Sequence, residues 1–192
     1  GAAVVRGLVG GRGRLHLLRL RSGGLGASEY EIAGAVVEWL RTLPLEIRDT
    51  RDLGTARADR VLAAVSQTSA RLILIDHLQE VQTGEDDVRA QALGRFVGGL
   101  KEISVRAGKV IMVAAQLLRA ADRTQRPVLA DIKESGGVEE KADIVLLLHY
   151  AAKRDQARSQ TELDIIIAKN RDGATGVETV RFLPEYGAVE SA

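Results

Sequence analysis

The chain has 192 residues, 45% hydrophobic and 28% charged, a balance that fits a folded domain and excludes a disordered tail. Its 27 Lys and Arg against 26 Asp and Glu leave a net charge of +1, so any nucleic-acid surface has to be local. Cysteine is absent and no apolar run is long enough to span a bilayer, which excludes a disulfide framework, a thiolate zinc site and a membrane helix, and fits a reducing cytoplasm.

The chain opens on Gly1 and enters an apolar pattern at once, without the features of a signal peptide, so it is expected to be N-terminally incomplete. Residues 2–10 read as a short helix broken by Gly10-Gly11-Arg12-Gly13. The next helix spans 28–43, with Ser28 and Glu31 as a capping box, Ile32, Val36, Trp39, Leu40 and Leu43 on one face, and Pro44 as its stop. Leu45–Ile47 reads as a short strand and 55–69 as a helix carrying Leu62 and Val65. Leu72–Ile75 is an aliphatic run ending at Asp76, the pattern of a strand buried on both faces of a parallel sheet. A long helix over 86–107 follows, with Val88, Ala92, Phe96, Leu100, Ile103 and Ala107 as its stripe. Lys109–Ala115 is a second buried strand, 117–137 a polar loop with Arg119, Arg123, Arg126 and Lys133, and Asp143–His149 a third buried strand. Residues 151–160 read as a mobile loop. Glu162–Lys169 and Val177–Leu183 then flank a glycine-containing turn as a β-hairpin. Strand–helix alternation followed by a hairpin predicts an α/β fold, mainly parallel, flanked by helices, with an antiparallel edge.

Four elements could carry chemistry. Ligands of open α/β sheets bind at the carboxyl ends of strands, where Asp76 could hold Mg²⁺ through oxygen and water; an aspartate there equally caps the turn. Gln116, just past the second strand, could bond a γ-phosphate or attacking water, or simply solvate the strand end. In Asp131-Ile-Lys133-Glu134-Ser-Gly136-Gly137, the glycines let backbone approach a phosphate chain, or else the segment starts a helix. Lys169 and Arg171 suit an incoming phosphate, or guard an edge strand. His16, His77 and His149 lie far apart with no metal-pair spacing, and no Gly-x-Ser-x-Gly elbow occurs.

The order of Leu72-Ile-Leu-Ile-Asp-His-Leu-Gln79, Ala115-Gln-Leu117, Arg126-Pro127, Asp131-Ile-Lys-Glu-Ser-Gly136, Ala142-Asp-Ile-Val145 and Ile165-Ile-Ile-Ala-Lys-Asn-Arg-Asp-Gly173 resembles the DnaB-type replicative helicases across nearly the whole chain. Arg19-Leu-Arg-Ser-Gly-Gly-Leu25 resembles a further family stretch. The resemblance implies a single RecA-like motor domain over 1–192, ATP and Mg²⁺ as cofactors, single-stranded DNA as partner, a homo-hexameric ring, and primase and a helicase loader as further partners. It implies Asp76 as the Walker B magnesium ligand, Gln116 as γ-phosphate sensor, and Lys169 and Arg171 acting in trans as finger residues. Lys133, Glu134, Gly136 and Arg126 would follow the DNA backbone.

No Gly-x-x-x-x-Gly-Lys-Ser/Thr loop occurs in these residues, and Gly108-Lys109 leads into a strand instead. The family's phosphate loop and catalytic glutamate are expected upstream of Gly1, so the chain alone is expected to be inactive. His77 stands where the family has Tyr, Leu118 where it has a polar residue, and Lys133 where Arg is usual. Two other readings stay open: another RecA-like ATPase of recombinase or clock type, and a non-catalytic subunit that kept the fold.

Overall fold

The computed structural model describes residues 1–84, 88–118, 126–132, 137–150 and 161–191. They form two compact units. Of these described residues, one unit holds those in 1–49, 150, 161–165 and 178–191, and the other those within 50–149 and 166–177.

In the first unit, α1 (Ala2–Gly13), α2 (Leu17–Ser22) and α3 (Ala27–Thr42) pack around buried Val9, Leu15 and Val36. The glycines at 10–13 do not break α1. A side chain at Gly10 would lie 2.4 Å from Leu17 Cδ2 and 3.0 Å from the Tyr186 carbonyl, so close packing explains the glycine there. The expected cap of α3 also shifts. Gly26 is the N-cap, and its N–H donates to Glu29 Oε2 at 2.7 Å. Leu45–Ile47 is not a strand. The Arg12 guanidinium lies 4.8 Å from the centre of the Trp39 ring.

In the second unit, α4 (Thr50–Leu53), α5 (Ala58–Gln67), β1 (Leu72–Ile75), α6 (Arg89–Ala107), β2 (Val110–Val113), α7 (Val138–Lys141) and β3 (Ile144–His149) follow in order. The stripe of α6 closes the core: Leu93, Phe96, Val97, Leu100 and Ile103 pack with Val65, Leu78 and Val81. Burying each large aliphatic or aromatic side chain contributes about 1.5–3 kcal/mol. Gly99 lets α5 approach, since a Cβ there would meet Leu62 at 3.1 Å. Gly108 ends α6 in the left-handed region, at φ 61°.

β1 and β2 are parallel, with Leu72 beside Val110 and Ile75 beside Val113. Their runs were expected to be buried on both faces. Instead Ile73, Ile75, Ile111 and Val113 face the α6 core, while Leu72, Leu74, Val110 and Met112 are exposed. β3 does not join this pair. It lies at one edge of a four-stranded sheet, followed by β4 (Glu162–Asn170), β5 (Gly176–Leu183) and β6 (Ala188–Ser191). Ile144, Leu146 and Leu148 of β3 are exposed and only Leu147 is buried. The expected hairpin is β4–β5. The unexpected β6 pairs antiparallel with β5, Leu183 beside Ala188, across a turn whose Gly187 has φ 66°. The expected loop 151–160 lies outside the described residues.

Candidate nucleotide site

The parallel register brings the carboxyl ends of β1 and β2 side by side. The backbone then ties them together. Ala114 N–H donates to the Ile75 carbonyl at 2.9 Å, and Leu78 N–H donates to the Ala114 carbonyl at 2.8 Å. Leu78 is fully buried and anchors the 3₁₀ turn Leu78–Glu80 under the core, so the residues around it stay at the strand ends. Asp76, the first residue past β1, presents its carboxylate to solvent with 74% exposure.

His77, read from the sequence only as a departure from the family, reaches from one strand end to the other. His77 Nε2 lies 3.0 Å from Gln116 Nε2, and His77 Nδ1 lies 3.7 Å from Asp76 Oδ1. In a hydrogen bond between these two nitrogens the Gln116 amide donates and His77 Nε2 accepts. Gln79 holds the same residue from behind: its Oε1 accepts the Gln116 backbone N–H at 2.9 Å. Arg89, at the start of α6, donates to the Gln79 carbonyl at 2.7 Å and pins that turn. Gln116 is therefore held at its side chain by His77, the neighbour of Asp76, and at its backbone by Gln79, whose turn Arg89 pins. His77 and Gln79 stood within the family-like stretch Leu72–Gln79, while Arg89 carried no signal in the sequence.

Lys169 and Arg171 both reach one short segment, residues 139–143. Lys169 Nζ donates to the Glu139 carbonyl at 2.7 Å and the Glu140 carbonyl at 3.1 Å, both in the last turn of α7, where cations are favoured. Arg171 lies just past β4. Its backbone N–H donates to the Asp143 carbonyl at 2.9 Å, and its Nη1 donates to Asp143 Oδ1 at 3.0 Å. The other Asp143 oxygen accepts from Lys101 Nζ on α6. That hydrogen bond, and the charge of Lys101, Arg171 and Lys169 nearby, hold the Asp143 carboxyl below the usual aspartate range. Among the described residues, no hydrogen bond or ion pair joins the cation pair to Asp76 or Gln116.

Of the expected DNA-loop residues, Arg126 is exposed, while Lys133, Glu134 and Gly136 lie outside the described residues. The ends of that loop are fastened together. Leu117 bridges Ile132, and Leu118 N–H donates to the Asp131 carbonyl at 2.7 Å.

Among the described residues no cluster of three or more His, Cys, Asp or Glu could cage a metal. Mg²⁺ needs no such cage, since it takes one or two carboxylates and fills its shell with water and phosphate oxygens. The exposed Asp76 carboxylate fits that donor set.

Residues 2–191 match the family model of the DnaB-like helicase C-terminal domain. A probable replicative DNA helicase of Trieres chinensis is 29% identical over 182 residues, covering 90% of this chain and 40% of that protein. The chain thus spans well under half the length of that relative. A DnaB-like replicative helicase, solved in a study of its interactions with primase, superposes with a TM-score of 0.85 at 24% identity, over 97% of this chain and 48% of that one. A second solved structure, an ATPase domain, superposes with a TM-score of 0.88 at 23% identity, over all of this chain and 71% of that one. The fold is RecA-like, as in those two structures, and the chain belongs to the DnaB-like helicase C-terminal domain family.

Proposed function

We propose that this chain is part of a single RecA-like motor domain of a replicative helicase, which hydrolyses ATP to move along single-stranded DNA and unwind the duplex ahead. The observation that carries the reading is the contact of His77, next to Asp76, with Gln116 across the ends of two adjacent parallel strands. A carboxylate and an amide so placed can serve one nucleotide: Asp76 as the oxygen ligand of Mg²⁺, Gln116 as a hydrogen-bonding partner of the terminal phosphate or attacking water. Mg²⁺, when bound, neutralises charge on the phosphates. His77 contacts the Gln116 side-chain amide and Gln79 accepts its backbone N–H, so a change at Gln116 is felt at both strand ends.

Lys169 and Arg171 are the finger residues in this reading and act on the nucleotide of a neighbouring subunit, in a ring we take to be hexameric. Both are presented from one segment, which supports their acting together. Arg126, Lys133, Glu134 and Gly136 follow the DNA phosphates without reading bases, so DNA affinity should fall steeply with salt. Primase and a loader are the protein partners of this reading, and the cytoplasm its place.

The test joins the chain at Gly1 to the phosphate-loop segment of a relative and measures ATP hydrolysis with and without single-stranded DNA. DNA-stimulated turnover is expected, absent from the 192-residue chain alone. Arg171→Ala should lower turnover by on the order of 10³-fold while nucleotide binding persists. Full turnover in that variant would reject the finger role. A joined protein that binds nucleotide but never hydrolyses it would favour a non-catalytic subunit.

A further inference from the structure

Arg171 has a long, flexible side chain at the end of a strand, yet it is held at two points by one residue. Asp143 accepts its backbone N–H at 2.9 Å and its guanidinium at 3.0 Å. A third group, the Lys101 ammonium, bonds the other carboxylate oxygen of Asp143. The junction thus ties α6, the residue before β3 and the residue after β4. It is not a buried lock: the Arg171 and Asp143 side chains are 51% and 42% exposed. Solvent screens a half-exposed pair of this kind, and it is too weak to hold an arginine against a polyphosphate. It is strong enough to narrow the rotamers of a side chain whose stem is otherwise free to turn about several bonds.

We propose that Asp143 is a positioning residue for Arg171, tethering the guanidinium through backbone and carboxylate so that it is aimed before a neighbouring nucleotide arrives. The inference rests on the finger reading of Arg171 given above. Lys101 has a different part: it steadies the carboxylate but does not touch Arg171, so its loss should leave the tether in place. A merely structural junction would suffer equally from losing either partner.

The test uses the joined protein in four forms: unaltered, Asp143→Ala, Asp143→Asn and Lys101→Met. Two quantities are read. One is the rate at which phenylglyoxal modifies Arg171 without nucleotide, followed by peptide mass spectrometry, with Arg181 as internal reference. The other is kcat and KM for ATP. Asp143→Ala should speed modification of Arg171 severalfold and lower kcat about tenfold to a hundredfold with KM within about twofold, the pattern of misplacement rather than lost binding. Asp143→Asn keeps an acceptor oxygen and should fall between, which preserves the test if the alanine variant folds poorly. Lys101→Met should stay near the unaltered protein in both. An unchanged modification rate in Asp143→Ala, an unchanged kcat despite a freed Arg171, or equal losses in Lys101→Met would each overturn the proposal. Should Arg171→Ala itself keep full turnover while Asp143→Ala still frees Arg171, the finger reading fails rather than the tether.

Discussion

The carboxylate–amide pair past β1 and β2 and the cation pair at the end of β4 are held in opposite ways. Asp76 is a short side chain placed by its strand, and it stands open to solvent. Lys169 and Arg171 are long side chains placed by tethers, one on the carbonyls ending α7 and the other on Asp143. Short side chains inherit the precision of the backbone. Long ones lose it at every rotatable bond, so the fold has to supply acceptors to restore it. The acceptor half of the site is therefore sensitive to strand ends and the cationic half to its tethers.

Three substitutions sharpen that contrast. The largest effect belongs to Gln116→Ala in the joined protein, which should lower turnover by on the order of 10²-fold with ATP binding near its original value, since one preorganised donor is removed. Steady-state kinetics check it, and a turnover within about twofold of the unaltered protein would remove Gln116 from the chemistry. His77→Phe keeps a ring of similar shape but loses both nitrogens. Its effect should be smaller, about tenfold, and no loss at all would show that strand placement alone orients Gln116. The smallest effect is on stability in acid. Because the folded state holds the Asp143 carboxyl below its ordinary value near 3.8, its contribution is complete above that value and disappears as pH falls through the folded one. Acid unfolding of Asp143→Asn should therefore show a slightly shallower pH dependence below about pH 4 than the unaltered chain. Asp59, held low by Arg57, acts in the same window, so the difference between the two proteins is the quantity to compare.

Much of the site could be read from residue order, and much of the packing could not. Asp76, Gln116, Lys169 and Arg171 each sit at or just past a strand end, where an aliphatic run or an extended pattern announces the position. Asp143, read as the first residue of a buried strand, gave no sign of its role, because its partner Arg171 lies 28 residues on along the chain. His77 was noticed as a departure from the family and not as a connector, since its partner lies 39 residues away. Gly10 of α1 misled for a similar reason: what crowds it is Leu17 of the next helix and the Tyr186 carbonyl, far along the chain. Unbroken aliphatic runs in β1, β2 and β3 suggested burial on both faces. A run shows that both faces are apolar, but it does not show that both are covered, and Leu74 and Leu148 stay exposed.

The central claim is that one subunit supplies Asp76 and the next supplies Arg171 to the same nucleotide. Mixing two inactive joined proteins, Asp76→Asn and Arg171→Ala, tests it directly. Boundaries that pair an intact Asp76 with an intact Arg171 should restore DNA-stimulated ATP hydrolysis well above the sum of the separate proteins. Activity that stays at that sum, while the two proteins demonstrably co-assemble, would contradict the account.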